Sequence, residues 1–157
     1  MRWDEIAGEN CSIARSLSVV GDRWTLLVLR ECFLGVRRFE ELQQRLGLTR
    51  HRLADRLARL VEHEVLRKEP YQSRPPRHEY RLTEKGKELY PVLLSLVRWG
   101  DRWMDQGRGP PVVYRHHSCG HETTPTLTCS ACGEALIARE VTPMSGPGQA
   151  RHRGLRN

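Results

Sequence analysis

The sequence predicts a mainly α-helical fold with one small β-hairpin, an α+β architecture, on the basis of three observations. Apolar residues recur at helical spacing along five segments between residues 11 and 104. A short glycine-containing turn separates the third of these helices from the fourth. Two short β-type runs joined by a proline-rich loop follow the fourth helix. Two helices across a tight turn, followed by a hairpin, indicate a winged helix-turn-helix.

Residues 11–32 are predicted to form two helices separated by Gly21-Asp22. Asp22 suits the N-cap of the second helix, because a short carboxylate can accept hydrogen bonds from the free amides of a helix start. Gly35 should end this helix, since glycine readily takes the left-handed conformation there. Cys32 lies on the apolar face of the same helix, which favours core packing over chemistry.

The next two helices carry the helix-turn-helix prediction. Residues 39–47 form a short helix that Gly47 closes, and Thr49 is placed as the N-cap of the following helix. That helix, residues 50–62, has apolar residues at i, i+4, i+7 and i+8, which puts them on one face. These residues are Leu53, Leu57, Leu60 and Val61.

After the fourth helix the pattern changes from helical to β. Residues 65–69 and 80–82 are predicted strands, and the loop between them, residues 70–78, contains prolines that exclude a helix. Thr83 is the predicted N-cap of a long helix that runs to residue 104, which Pro91 should bend or locally open. A Gly/Pro-rich linker follows this helix.

Charge and composition limit the classes of partner. The chain of 157 residues has a net charge of +7, which favours a polyanion such as nucleic acid or an acidic membrane surface. The excess is mostly arginine, and an arginine bias can also come from genome base composition. Apolar runs fall short of the ~20 residues needed to cross a bilayer, and the N-terminus lacks the pattern of a signal peptide. We therefore expect a soluble cytoplasmic protein.

Candidate contacts to DNA lie on the fourth helix and on the hairpin loop. An arginine row occupies a sector of this helix about 60° wide beside the apolar face, and the first turn, which meets base edges in a helix-turn-helix, is also basic. Guanidinium groups suit this role because their planar fork binds guanine or clamps a phosphate. The alternative is an ordinary solvated face, with Asp55 and Glu62 paired to neighbouring arginines. The predicted DNA-binding residues are Thr49, Arg50, His51, Arg52, Arg56, Arg59, Arg74 and Arg77.

Five runs of sequence occur in an order typical of one protein family. They are CSIAR at 11–15, GDRWTLLVLR at 21–30, RFEEL at 38–42, RPPRHEYRLTEKG at 74–86 and WGDRW at 99–103. Together they resemble the HxlR family of bacterial transcriptional regulators, and the resemblance covers about residues 10–105.

This resemblance implies a winged helix related to MarR-type regulators that works as a two-fold dimer at a pseudo-palindromic operator. It implies that the helix at 50–62 reads the major groove of double-stranded DNA and that the wing at 70–79 lies over the backbone. It also implies dimerisation through the helix at 84–104 with the N-terminal region, and a role as repressor or activator. We expect no enzymatic activity.

The long helix gives a separate reason to expect a homodimer. Its apolar stripe is larger than one small winged helix easily buries, although the stripe could also cover the core of its own domain. The stripe consists of Leu89, Val92, Leu93, Leu96 and Trp103.

Cys11 matches a position at which some relatives in this family carry a cysteine that senses quinones, aldehydes or oxidants. A thiol at a helix N-terminus, with Arg15 one turn on, is expected to have a lowered pKa. Ser12 stands where many relatives have proline, and a small thiol capping a buried helix end is also common. A sensing role and a structural role both stay open.

Three of the five cysteines lie in the C-terminal quarter of the chain and suggest a metal site. His-x-x-Cys-Gly at 116–120 and Cys-x-x-Cys-Gly at 129–133 share one pattern, and two such turns could supply a Cys₃His structural zinc site, as in a minimal zinc ribbon. His117 or His121 could replace the first histidine. A redox dithiol and unligated cysteines are the alternatives. The candidate zinc ligands are His116, Cys119, Cys129 and Cys132.

The predicted organisation has three parts. Residues 1–106 form the winged helix-turn-helix with its dimerisation helix, residues 107–140 a small Cys/His segment of zinc-ribbon type, and residues 141–157 a disordered basic tail. DNA binding itself should need no cofactor, and any effector is an unidentified small molecule or oxidant. One alternative function is a winged helix that binds protein without specific DNA binding. Another, a thiol-disulfide oxidoreductase, lacks the expected βαβ context.

Overall fold

Four helices, a β-hairpin and one short helix form the first of two units, which divide between Tyr90 and Pro91. The computed structural model describes residues 10–148. The elements of this unit are α1 (Ser12–Val20), α2 (Arg23–Phe33), α3 (Phe39–Leu46), α4 (Arg50–Glu62), β1 (Leu66–Gln72), β2 (Arg77–Leu82) and α5 (Glu84–Lys87).

Helix α2 begins and ends where the sequence predicts. The Asp22 carboxylate accepts hydrogen bonds from the amides of Trp24 at 3.0 Å and Thr25 at 3.2 Å, so Asp22 is the N-cap. Gly35 follows the helix with φ +87, a left-handed conformation. Cys32 is buried near the end of α2, which confirms core packing.

A tight turn joins α3 to α4. Gly47 takes the left-handed conformation (φ +62), which a residue with a Cβ adopts only at a cost, and it ends α3. Leu48 is buried and fixes the turn to the core. Thr49 then accepts a hydrogen bond from the amide of Arg52 at 3.4 Å, as predicted for the N-cap of α4.

The core of this unit forms where the inner faces of α2, α3 and α4 meet. The three leucines predicted for the inner face of α4 are fully buried, and each contributes about 1.5–3 kcal/mol of hydrophobic stabilisation. Val61 is only partly buried. The fully buried apolar residues of the three helices are Val28, Leu29, Leu42, Leu53, Leu57 and Leu60.

The wing has longer strands and a shorter tip than the sequence predicts. Pro70, assigned to the loop, lies in β1 opposite His78, and a bulge follows between Pro70 and Gln72. An edge strand tolerates proline because the missing amide is not needed for pairing. On the other side of β2, the Tyr80 amide donates to the carbonyl of Arg37 at 2.8 Å. The loop between the two strands comprises residues 73–76, and together with Arg77, the first residue of β2, it forms the wing tip.

The predicted long helix over 84–104 is interrupted at residues 88–89 and divides into α5 and α6 (Tyr90–Trp103). Pro91 stands in the first turn of α6, where no amide donor is required, so the predicted opening at this proline is confirmed. Gly86 in α5 lies so close to the residue before β1 that a Cβ there would be 2.1 Å from the Val65 carbonyl oxygen. Thr83 caps α5 by accepting from the Gly86 amide at 3.0 Å.

The second unit contains α6, apart from its first residue, and the Cys/His segment. Its hairpin pairs β3 (Tyr114–Arg115) with β4 (Glu122–Thr123), and a single bridge joins Thr128 to Ala135. The predicted boundary at 106–107 falls inside this unit. Residues 141–148 of the predicted tail are exposed and irregular, whereas 149–157 lie outside the described residues. Among the helices described, none is long and apolar enough to span a membrane.

Candidate nucleic-acid interface

The first turn of α4 presents basic side chains to solvent. Arg50, His51 and Arg52 are all exposed, as is the capping residue Thr49. His51 is 88% exposed and lies 3.4 Å from the Asp55 carboxylate. Within residues 10–148, Arg52 has no ion-pair partner. Its guanidinium donors are therefore available to an anion.

Two cation–π contacts join the start of α4 and the wing to the start of α3. The Arg50 guanidinium lies 4.9 Å from the centre of the Phe39 ring. The neighbouring residue, Arg38, lies 4.8 Å from the ring centre of Tyr71 in β1. Such contacts contribute about 0.5–1 kcal/mol each at exposed sites. They hold α4 against Phe39 and the wing against the adjacent Arg38.

The wing tip is basic, because the two arginines predicted to contact DNA are exposed to solvent there. Arg74 and Arg77 are exposed, and in the described part of the chain neither one pairs with a carboxylate. The Gln72 side chain donates to the Arg74 carbonyl at 3.0 Å and so stiffens the tip. Both guanidinium groups are free to reach phosphate or the minor groove.

At the wing base, by contrast, the arginines are paired with glutamates. The Glu69 carboxylate accepts a hydrogen bond from Arg67 and forms an ion pair with Arg81, whose Nε atom lies 2.9 Å away. Arg81 donates its Nε hydrogen bond to Glu79, at 2.7 Å. The hydrogen bond from Arg67 is the main reason that the pKa of Glu69 lies below its usual value. These two arginines and two glutamates therefore cancel, which leaves Lys68 as one positive charge at the base against two, Arg74 and Arg77, at the tip.

Arg56 and Arg59 make contacts within the protein that sequence reasoning did not include. The Arg56 Nε and Nη2 atoms lie 2.9 and 3.2 Å from the two carboxylate oxygens of Asp22. Arg59 donates to the backbone carbonyl of Ser18 near the end of α1. Their contact with DNA stays a prediction, and it would require these guanidinium groups to leave partners that they already have.

Asp22 is thus shared between two helices. Burial raises the pKa of its carboxyl group, but the hydrogen bonds from Arg56 and from the amides of Thr25 and Trp24 more than offset this. The net result is a pKa below the usual value. One carboxylate both starts α2 and holds α4 in place.

Glu31 is a second contact that the sequence did not reveal. Its side chain is buried, 5% exposed, with one oxygen 2.6 Å from Arg30 Nη2 and the other 3.4 Å from Arg45 Nη1. A buried carboxylate needs such partners. The sequence places Glu31 among apolar residues of α2, which could have indicated that it is buried. A glutamate is usually exposed, however, so burial was not predicted.

Cys11 occupies the N-cap position of α1, as expected from the sequence, and the structure places it in an exposed position. The Arg15 guanidinium donates to the Ser12 hydroxyl at 3.1 Å. The sensing role of Cys11 stays a prediction. Cys32 differs from it, because burial, with a further effect of the Glu31 charge, raises the pKa of this thiol to about 12.

The candidate zinc ligands form two separate pairs. Cys119 Sγ lies 3.5 Å from His116 Nδ1. Backbone amides of Ala131 and Cys132 hydrogen-bond to the Cys129 sulfur, which lowers the pKa of that thiol. In the described range 10–148, no three His, Cys, Asp or Glu side chains are grouped closely enough to hold a metal ion.

Comparison with known proteins gives a consistent result. Residues 19–108 match the profile of the HxlR-like helix-turn-helix family. An uncharacterized HTH-type transcriptional regulator of Mycobacterium tuberculosis is 50% identical over 140 residues, which are 89% of this chain and 89% of the relative.

Solved structures agree with this family match. The crystal structure of the candidate transcription factor PA1607 superposes with a TM-score of 0.80 at 33% identity, over 90% of this chain and 99% of that one. The reduced form of the redox regulator HypR gives a TM-score of 0.57 at 27% identity, over 62% of this chain and 96% of that one. The likeness to PA1607 therefore extends into the C-terminal segment.

Proposed function

Because the chain belongs to the HxlR-like helix-turn-helix family of transcriptional regulators, we propose that it binds a pseudo-palindromic operator as a homodimer. The first turn of α4 (Thr49, Arg50, His51 and Arg52) enters the major groove. The wing tip, with Arg74 and Arg77, contacts the flanking backbone or minor groove. Regulation of transcription, not catalysis, is the function of the chain.

One observation carries this assignment: the distribution of arginines that have no carboxylate partner. Arg52, Arg74 and Arg77 are exposed and unpaired in the described part of the chain, whereas the arginines at the wing base are neutralised. Positive charge that is not satisfied within the protein favours binding to phosphate, because each contact releases a condensed counterion. The contacts of Arg50 and Arg38 hold the two basic regions in position.

For Arg56 and Arg59 we propose a positioning role. Arg56 bridges α4 to the N-cap of α2, and Arg59 bridges α4 to the end of α1. A recognition helix must be held rigidly for its first turn to match base edges. Loss of either arginine would then weaken operator binding indirectly, through the orientation of α4.

The proposed dimer uses the apolar stripe of α6. None of the α6 residues is buried, and four large apolar side chains on one face are 48 to 66% exposed. They lie within about 60° of one another on the helix. An exposed apolar stripe of this size is typical of a protein interface. The four residues are Val92, Leu96, Trp99 and Trp103. Of the stripe predicted from the sequence, Leu89 precedes α6 and Leu93 is partly buried, and Trp99 joins the other three.

Binding of the purified protein to its own upstream DNA tests the proposal, with a scrambled duplex as control and several salt concentrations. If Arg74 and Arg77 of both protomers meet phosphates while Arg52 reads base edges, the slope of log K against log [salt] should be about −4. Weak, equal binding to both duplexes would contradict the proposal and favour the winged helix that binds protein.

We also propose that Cys11 makes operator binding sensitive to oxidants or electrophiles. The thiol is exposed at the start of α1, and HypR, a structural neighbour, is described as a redox regulator. Treatment with a quinone or diamide should release the wild-type protein from its operator and leave Cys11→Ser bound. Equal release of both proteins would show that Cys11 is not the sensor.

A further inference from the structure

The Cys/His segment contains two turns with the same backbone structure, and neither belongs to the DNA-binding unit. In the first turn, the His116 amide donates to the His121 carbonyl at 2.9 Å, and the Gly120 amide donates to the His116 carbonyl at 2.7 Å. In the second, the Cys129 amide donates to the Glu134 carbonyl at 2.8 Å, and the Gly133 amide donates to the Cys129 carbonyl at 2.8 Å.

The glycines of the two turns also correspond. Gly120 has φ +73 and Gly133 has φ +79, a left-handed conformation that allows the chain to reverse directly after the second ligand position. Because the hydrogen bonds and glycines of the two turns correspond position by position, His116 is equivalent to Cys129. It therefore selects His116 over His117 and His121, which the sequence could not distinguish.

Each turn closes a small antiparallel hairpin. The first lies at the end of the β3–β4 pair, and the second lies at the bridge between Thr128 and Ala135. Each turn also brings its two ligand positions together: Cys119 Sγ is 3.5 Å from His116 Nδ1, and the Cys132 amide hydrogen-bonds to the Cys129 sulfur. Two hairpins with ligand-bearing tips are the parts of a zinc ribbon.

The side chains of the Cys/His segment bury too little surface to stabilise its folded structure. Every side chain from 112 to 148 is exposed except Tyr114, Pro125 and Cys129, which are partly buried. A segment of this size without a core usually needs a disulfide or a metal ion. Its three cysteines are free thiols, and three thiolates with one imidazole suit Zn²⁺.

We propose that His116, Cys119, Cys129 and Cys132 bind one structural Zn²⁺ and that the ion draws the two turns together. The structure forms each pair but does not group three ligands, so metal binding must complete the site and supply folding free energy. The three thiols lose their protons to solvent as the Zn–S bonds form. Four protein ligands leave no open position, so the ion is structural and not catalytic.

Cobalt spectroscopy on the untagged full-length protein tests this site without reference to DNA binding. After treatment with a chelator and a reductant, titration with Co²⁺ alone should reach one equivalent per chain. It should give a thiolate-to-cobalt charge-transfer band and the strong d–d bands of tetrahedral cobalt, and Zn²⁺ should remove both. Cys119→Ser should weaken binding more than about 100-fold, beyond the effect of losing a residue that only supports a ligand.

A matched pair of variants separates a ligand from a structural residue. His116→Cys should keep the tetrahedral bands and intensify charge transfer, because a fourth thiolate replaces the imidazole. His117→Cys should give the wild-type spectrum. The proposal is overturned if Co²⁺ gives no tetrahedral bands, if Cys119→Ser leaves the titration unchanged, or if Cys129 and Cys132 form a disulfide that a reductant does not open. These outcomes concern the metal site alone, so operator binding by the same preparations tests the proposed function separately.

Discussion

The ion pair between Asp22 and Arg56 should link the stability of α2 to the position of α4. We consider Arg56→Ala, Asp22→Asn and the double variant. Asparagine caps a helix about as well as aspartate, so Asp22→Asn removes the charge and keeps the start of α2. The two single substitutions therefore remove the same interaction from opposite ends.

The size of this interaction follows from its geometry and exposure. Breaking a buried pair costs about 3–5 kcal/mol, whereas an exposed pair contributes about 0–1 kcal/mol. The Arg56 and Asp22 side chains are 29% and 33% exposed, and two hydrogen bonds of 2.9 and 3.2 Å join them. We expect each single variant to lose about 1–2 kcal/mol of unfolding free energy. The double variant should lose little more than either single variant.

Urea unfolding at one fixed protein concentration measures this coupling, because dimer stability depends on concentration. The pKa of Asp22 is lowered in the folded protein, so its contribution is present above the unfolded pKa. That contribution should be complete above about pH 4 and should be lost as the pH falls through the folded pKa. The coupling energy of the double-mutant cycle should therefore disappear in acid.

Two results would refute this reasoning. A coupling energy below about 0.3 kcal/mol near neutral pH would mean that the pair does not stabilise the protein. A coupling that stays constant into acid would mean that the Asp22 charge is not involved. If Arg56→Ala keeps full stability and loses operator affinity, Arg56 contacts DNA directly, as the sequence predicts.

Three further predictions concern the core, the DNA contacts and the dimer. Gly86→Ala should lower the free energy of unfolding in urea by about 3 kcal/mol or more, because the new Cβ would lie 2.1 Å from the Val65 carbonyl oxygen. Wild-type stability of this variant would show that the backbone moves apart at this contact without cost. Arg52→Ala should lose about 1–3 kcal/mol of operator binding per half-site without loss of stability, while Arg108→Ala, with the same charge change, stays near wild type. Leu96→Glu should convert the dimer to a monomer in sedimentation equilibrium, and an unchanged mass would place the interface elsewhere.

The sequence predicted the parts of the fold that depend on local chemistry. The caps at Asp22, Thr49 and Thr83 were correct because each requires a particular side chain beside a helix start. The buried leucines of α4 were correct because their spacing matches one face. The resemblance to a family and the later comparison agree on the winged helix.

The errors arose where tertiary contacts decide the outcome. Pro70 was assigned to the loop because proline disfavours strands, but an edge strand tolerates it. The helical wheel placed Arg56 and Arg59 beside Arg52, although it cannot show that Asp22 and Ser18 lie within reach. The pairing of Tyr80 with Arg37 involves too few residues to produce the alternation of apolar and polar residues that identifies a strand.

Selection of operators from a pool of random DNA duplexes, followed by hydroxyl-radical footprinting of the best one, tests the central claim most directly. A dimer that inserts two copies of α4 should enrich an inverted repeat and protect two half-sites about one helical turn apart, with centres about 34–36 Å apart. Arg52→Ala should relax the sequence preference within each half-site. Failure to enrich any repeat, or protection of a single site, would contradict a dimeric regulator that reads DNA with α4.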